Sequence, residues 1–344
     1  MQPEREPERY RAWAIAAADA LQHWYKPRTG LWKTTGWWNC ANALTAVIQH
    51  CQRTGEHRHQ HIIETTFDRA GRVTPGFSNE FYDDDGWWAL AWIAAFDLTG
   101  EVKYLEMARG LFEGMAAGWD DVCGGGLWWT RAKTYKNAIP NELFLLIAAR
   151  LHQRTTDRGG QVSGYLGWAL REWEWFSSSG LIGPAGLVND GLTADCANNG
   201  GTTWTYNQGV IIGGLTALHE ITGDGAYLGQ AEDIAAAALG DLTVPPGILA
   251  DPGERPGTRA GRDLPQFKGI FVRNLYELYL HSPRAGYRDF FLANATSLWR
   301  NSRNRQNQFG LAWTGPFDRA DAARQGSALD AFNAAAGTDI PLFR

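Results

Sequence analysis

The chain has 344 residues, 44% of them apolar and 20% charged, enough for one large domain or two ordinary ones with a substantial core. A net charge of −5 and a pI near 5.9 leave no basic footprint for nucleic acid. No apolar run reaches the ~18 residues that a membrane-spanning helix needs.

The charged start, Met1-Gln2-Pro3-Glu4-Arg5-Glu6-Pro7-Glu8-Arg9, lacks an apolar signal core. It predicts a cytoplasmic protein, or a secreted one if a leader has been removed. A first amphipathic helix is expected over about residues 6–25. A buried helix then starts near Asn39 and carries Cys40 and Cys51, which its rise would set about 16 Å apart, too far to bridge. With Cys123 and Cys196 the cysteines show no metal-ligand spacing, and no disulfide framework is expected. His57, His59 and His61 follow in a polar segment. On a helix their spacing would put only His57 and His61 on one face, and a solvated surface is the expectation.

From Asp84 a second buried helix is apolar nearly all round, and residues 101–117 then carry a one-sided stripe, Tyr104, Leu105, Ala108, Leu111, Phe112 and Met115. The alternation recurs. Leu143 to Ala149 precede Val162, Tyr165, Leu166, Ala169, Leu170 and Trp173. Val210 to Leu215 precede Tyr227, Leu228, Ala231, Ile234 and Ala235. The junctions repeat too, as Thr54-Gly55-Glu56, Thr99-Gly100-Glu101 and Thr222-Gly223-Asp224. Gly ends one helix and the acid starts the next. Buried helices starting near Asn39, Asp84, Asn137, Tyr206, Phe267 and Gln325 give six pairs. They predict one all-α domain over residues 1–344, an (α/α)6 toroid or barrel of six inner and six outer helices. A linear helical solenoid is the alternative.

The distinctive residues sit at the starts of the inner helices. They are Trp38 and Asn39; Asp83, Asp84, Asp85, Trp87 and Trp88; Lys136, Asn137, Asn141 and Glu142; Tyr206, Asn207 and Gln208; and Lys268. Trp128 and Trp129 follow Gly124-Gly125-Gly126 in the stretch between. A toroid would gather these starts at one mouth. The 17 tryptophans exceed what a core needs, and rings beside carboxylates suit a sugar. Three consecutive acids at a helix start are also favoured by the helix dipole, so a solvated cap is the plainer reading of any one motif. Lysine is scarce against arginine, yet Lys136 and Lys268 fall inside these motifs.

Along essentially its whole length the chain resembles glycoside hydrolase family 76, the α-1,6-mannanases. The resemblance is carried by the Asp83-Asp84 pair before a Trp-rich helix and by Gly124-Gly125-Gly126-Leu127-Trp128-Trp129. It is carried also by Lys136-Asn137 with Asn141-Glu142, and by Asp190-Gly191 followed by Cys196 and Tyr206-Asn207-Gln208. It implies an (α/α)6 barrel and endo-acting, retaining cleavage of α-1,6-linked mannan, with Asp83 as nucleophile and Asp84 as general acid/base. Fungal relatives act as wall transglycosylases and have Gln after the Asp pair, where this chain has Asp85; that difference leans towards the bacterial hydrolases. Asp85 itself either contacts sugar hydroxyls or caps the helix. The other aromatic, amide and charged residues at these helix starts, with Trp128 and Trp129, are expected to bind substrate. The expected partner is α-mannan, with no cofactor, metal, nucleic acid or membrane span, and the expected state is a monomer. The rival readings are mannan transglycosylation, a different (α/α)6 sugar enzyme such as a uronyl hydrolase or epimerase, and a non-catalytic mannan-binding homologue.

Overall fold

The computed structural model describes residues 6–155, 164–254 and 261–338. Val162 and the first five residues, read above for a helical stripe and a charged start, lie outside them. Twelve α-helices account for most of the described chain, with two short antiparallel hairpins, β1–β2 (Tyr25–Lys26, Leu31–Trp32) and β3–β4 (Thr243–Val244, Ile248–Leu249).

The helices alternate in burial. α2 (Trp37–Thr54), α4 (Tyr82–Thr99), α6 (Ala138–Thr155), α8 (Thr205–Thr222), α10 (Leu264–His281) and α12 (Ala322–Gly337) are buried nearly all round. α1 (Glu6–Leu21), α3 (His61–Val73), α5 (Val102–Ala116), α7 (Gly164–Ser178), α9 (Gly225–Asp241) and α11 (Ala285–Asn301) each bury one side. Six inner helices alternating with six outer ones are the element order of the (α/α)6 class. The inner helices begin within three residues of the positions that periodicity marks.

Two compact units are present. The unit from Thr74 to Asp241 holds α4 to α9; in it α4 packs on α5 and α6, and α6 on α7 and α8. The other holds α1 to α3 and α10 to α12, with α12 packed against α1, α2, α10 and α11.

The three Thr-Gly-acid junctions share one local solution. Gly55, Gly100 and Gly223 take φ of 67°, 73° and 72°, and each N–H bonds the carbonyl four residues back. The preceding threonine hydroxyl donates to its own i−4 carbonyl and accepts the N–H of the acid two residues on. Two groups left open at the helix end are thereby satisfied. After Gly100 and Gly223 the next helix begins at once. After Gly55 it does not: residues 56–60 turn outwards, Arg58 and His59 bond Asp19, and α3 begins only at His61. His57 and His61 therefore do not share a helical face.

Candidate active site

The first turn of α4 carries the three acids, and its N–H groups and dipole favour negative charge there. The segment before it is held like a strand. Phe81 bridges Thr130, Tyr82 N–H donates to the Trp129 carbonyl, and Arg131 N–H donates to the Glu80 carbonyl. This pairing fixes Trp129 beside the acids. Its indole Nε1 donates to Asp83 Oδ2 at 3.2 Å, its ring lies against Phe81, and it remains 38% exposed. Asp84 is buried and accepts a 2.6 Å bond from the Asn79 amide. Burial first, and then the neighbouring Asp84 charge, push the half-buried Asp83 carboxyl well above the usual carboxylate range, against the lowering effect of Trp129.

Asp85 is engaged by the protein's own donors. It is fully buried, paired with Arg131 at 2.7 Å, and accepts from Ser78 Oγ and the Asn79 N–H. Its task is to tie residues 78–79, and so Asn79, against the acid turn. Burial raises its carboxyl and Arg131 opposes the rise.

Trp128 and Trp129 stand at the end of a loop whose shape explains the three glycines before them. Gly125 and Gly126 have φ of 149° and 84°, and a Cβ on Gly126 would meet the Trp175 ring at 2.4 Å. Trp175 in turn donates to the Cys123 carbonyl at 2.9 Å. Contrary to the expectation of unbridged cysteines, Cys123 and Cys196 form a disulfide that joins this loop to residues 189–201. Spacing along the chain could not show it, because 73 residues separate the two. Cys40 and Cys51 are buried free thiols in α2.

Lys136 does not present its charge to a ligand. It is buried, pairs with Asp120 at 2.9 Å, and donates to the carbonyls of Val122, Gly125 and Gly126 at 2.5, 2.5 and 3.1 Å. Asp120 also accepts from Trp128 Nε1 and from Lys133. Partial burial pushes Asp120 up, but these three donors outweigh it and hold it well below the usual range. In the other unit Lys268 does the same job. Buried at the start of α10, it pairs with Glu254 at 2.7 Å, donates to the Leu311 carbonyl and lies over the Trp313 ring.

Several amides expected on substrate instead clamp loops. Asn141 accepts from Leu127 N–H and donates to its carbonyl, copying a strand partner. Gln208 does so to Val188, and Gln325, expected only as a helix start, accepts from Phe309 N–H while donating to Asn307. Asn39 caps its own helix by accepting from Gly36 N–H. Trp88 is fully buried between Phe77 and Trp92, so it presents no ring face to a sugar, and Trp87 is 3% exposed.

Of the expected site residues in the Thr74–Asp241 unit, Asp83, Trp128, Trp129 and Tyr206 keep exposed surface, while Asp84 is buried. Asn137 and Asn207 are buried; the Asn137 Oδ1 and both amide atoms of Asn207 have no hydrogen-bond partner in the protein. Glu142 is fully buried and uncompensated, pushed well above the usual range by burial, then by Asp190 and Glu172. In the other unit Trp38 is half-buried and donates to Asp263 at 3.0 Å. Asn79, Arg131, Asp120, Glu172 and the Cys123–Cys196 pair were not legible as site residues. The Asn79-Glu80 step just before the acid motif was the available signal for the first. Among the described residues no group of three or more His, Cys, Asp or Glu could hold a metal ion, and no helix is long and apolar enough to cross a membrane.

Adjacent carboxylates framed by indoles on an all-helical scaffold are the equipment of a carbohydrate-active protein. The model for Glycosyl hydrolase family 76 matches residues 10–341, and the chain belongs to that family. A mannan endo-1,6-alpha-mannosidase of Candida albicans, DFG5, is 28% identical over 263 residues, covering 70% of this chain and 57% of its own. The chain spans about half the length of the curated relatives it matches. Among solved structures, the Lin0763 protein of Listeria innocua matches with a TM-score of 0.85 at 28% identity, covering 95% of this chain and 97% of its own. An alpha-1,6-mannanase of Salegentibacter sp. HEL1_6 matches at 0.83 and 26%, covering 95% and 99%. That structure is of an inactive variant, with asparagine at two consecutive aspartate positions, in complex with alpha-1,6-mannotriose. The likeness across 95% of the chain gives the (α/α)6 fold and excludes the solenoid alternative.

Proposed function

We propose that this protein is a retaining endo-α-1,6-mannanase, one catalytic domain that hydrolyses α-1,6-linked mannan or mannooligosaccharides. The observation that carries the proposal is the Asp83-Asp84 pair at the start of α4, each acid with its own side-chain donor and Trp129 exposed beside them. Family membership and the mannotriose complex of a relative changed at two consecutive aspartates support it. Trp129 and Trp128 would stack on apolar sugar faces.

In this reading Asp83 attacks the anomeric carbon and forms a glycosyl-enzyme while Asp84 protonates the departing oxygen. Asp84 then removes a proton from the water that breaks the ester, and two inversions retain the α configuration. In the free protein burial and the Asp84 charge push Asp83 up. The cycle needs a proton on Asp84 once a glycosidic oxygen lies against it. Trp129, donating to Asp83, favours that state; Asn79, donating to Asp84, works against it. These donors pull in opposite directions, which makes the roles of the two acids the point to test.

With an activated α-mannoside whose leaving group needs no proton, Asp83→Ala should abolish turnover. Asp84→Ala should retain the first step and be rescued by azide, yielding an α-mannosyl azide. Rescue of Asp83→Ala to an α-azide would reverse the roles. The Cys123–Cys196 bond supports a working place oxidising enough to keep it, in preference to the cytoplasm expected from the N-terminal residues.

A further inference from the structure

The buried Lys136 has no role in the chemistry above, yet its ammonium is spent wholly on the loop that delivers Trp129 to Asp83. It binds the carbonyls of Val122, Gly125 and Gly126, of which Val122's also takes the Gly125 N–H at 3.3 Å. Its charge is balanced by Asp120, which also receives the Trp128 indole. Asn141 clamps the next residue, Leu127, and two residues further on Trp129 N–H bonds the carbonyl of Tyr135, the neighbour of Lys136. The path from ammonium to indole to carboxylate is continuous.

We propose that Lys136 is a positioning residue, whose ammonium shapes the 122–126 loop so that the Trp129 indole reaches Asp83 and sets the acid–base behaviour of that carboxylate. The proposal rests on the reading of Asp83 as nucleophile. Without the ammonium, the Gly125 and Gly126 carbonyls must find other partners, the loop relaxes, and the indole leaves Asp83. A carboxylate that loses a donor ionises at higher pH. Turnover should then fail earlier as pH drops, although Lys136 touches no substrate.

The test compares Lys136→Met, Trp129→Phe and the double variant on an α-1,6-mannooligosaccharide. The reading is the acid limb of the kcat/KM profile. Each single variant should move that limb up by about one pH unit, and the double variant should add little to either. An unmoved limb in Lys136→Met, or shifts that add in the double variant, overturns the proposal. Hydrogen exchange supplies a reading that does not need turnover. Lys136→Met should speed exchange of the amides of residues 122–129 at least about tenfold while α6 stays protected. Unchanged exchange there overturns the proposal even in an active enzyme. A wild type inactive on mannan, with faster loop exchange in the variant, sinks the mannanase reading and leaves the loop role of Lys136 standing. Should Lys136→Met not fold, Asp120→Asn removes the counter-charge while keeping an acceptor for Trp128, and the same two readings apply.

Discussion

Reducing or removing the Cys123–Cys196 bond should destabilise the protein strongly. The bond closes 73 residues, and the chain-entropy relation gives about 4.4 kcal/mol for a loop of that length. In the folded state both ends are otherwise anchored. Cys123 is held by Trp175 and its neighbours by Lys136, while residues 191–199 pair across the Leu192–Asn198 bridge. The fold should therefore persist without the bond, and the effect should fall on the unfolded chain. At the 2–4 °C per kcal/mol of a unit this size, Cys196→Ser should lower Tm by roughly 9–18 °C. Thermal unfolding of wild type and variant measures this, and thiol titration of the unfolded, unreduced wild type should count only Cys40 and Cys51. Four reactive thiols, or a Tm change under about 3 °C, would refute the reasoning.

Glu172 is fully buried, and burial pushes its carboxyl well above the usual range against the pull of Lys136 and Arg171. Its contribution to stability is complete below the unfolded value of about 4.3 and is lost as pH rises towards its folded value. Glu172→Gln should thus gain in Tm over wild type as pH increases from 5 to 8, and a pH-independent difference would contradict the assignment. Gly126→Ala should cost about 2–5 kcal/mol, from a positive φ and a Cβ set against Trp175, and denaturant unfolding reads it. Asp85→Asn should cost about 1–3 kcal/mol by loosening Arg131, Ser78 and Asn79, with KM unchanged. A raised KM at full stability would return Asp85 to the substrate.

The helical repeat was legible because burial writes a period into the sequence. Apolar residues all round mark α4 and α8, a one-sided stripe marks α5, and the Thr-Gly-acid steps mark the turns. The inner-helix starts were found for the same reason, but the chemistry there was only half visible. Asn141, Gln208, Lys136 and Lys268 looked like ligand groups because polar residues at helix starts are what a cleft needs. They are also what irregular loops need, since each loop brings carbonyls and N–H groups that no ladder satisfies. Which need a given amide meets depends on contacts between residues far apart in sequence, such as Gln208 with Val188, and periodicity carries no record of those. Trp88 and Trp129 show the same limit: both adjoin the acid pair in the motif or in space, yet one is core and the other open. The Cys123–Cys196 bond was missed because pairing is a property of the fold.

The central claim is tested most directly by incubating the wild type, Asp83→Ala and Asp84→Ala with α-1,6-mannooligosaccharides and sizing the products by chromatography. The account predicts internal cleavage by the wild type to shorter α-1,6-linked oligosaccharides, no products from Asp83→Ala, and a loss on the order of 10²–10⁴-fold in Asp84→Ala. Full activity in both alanine variants, or a wild type that binds these sugars without cleaving them, would contradict it.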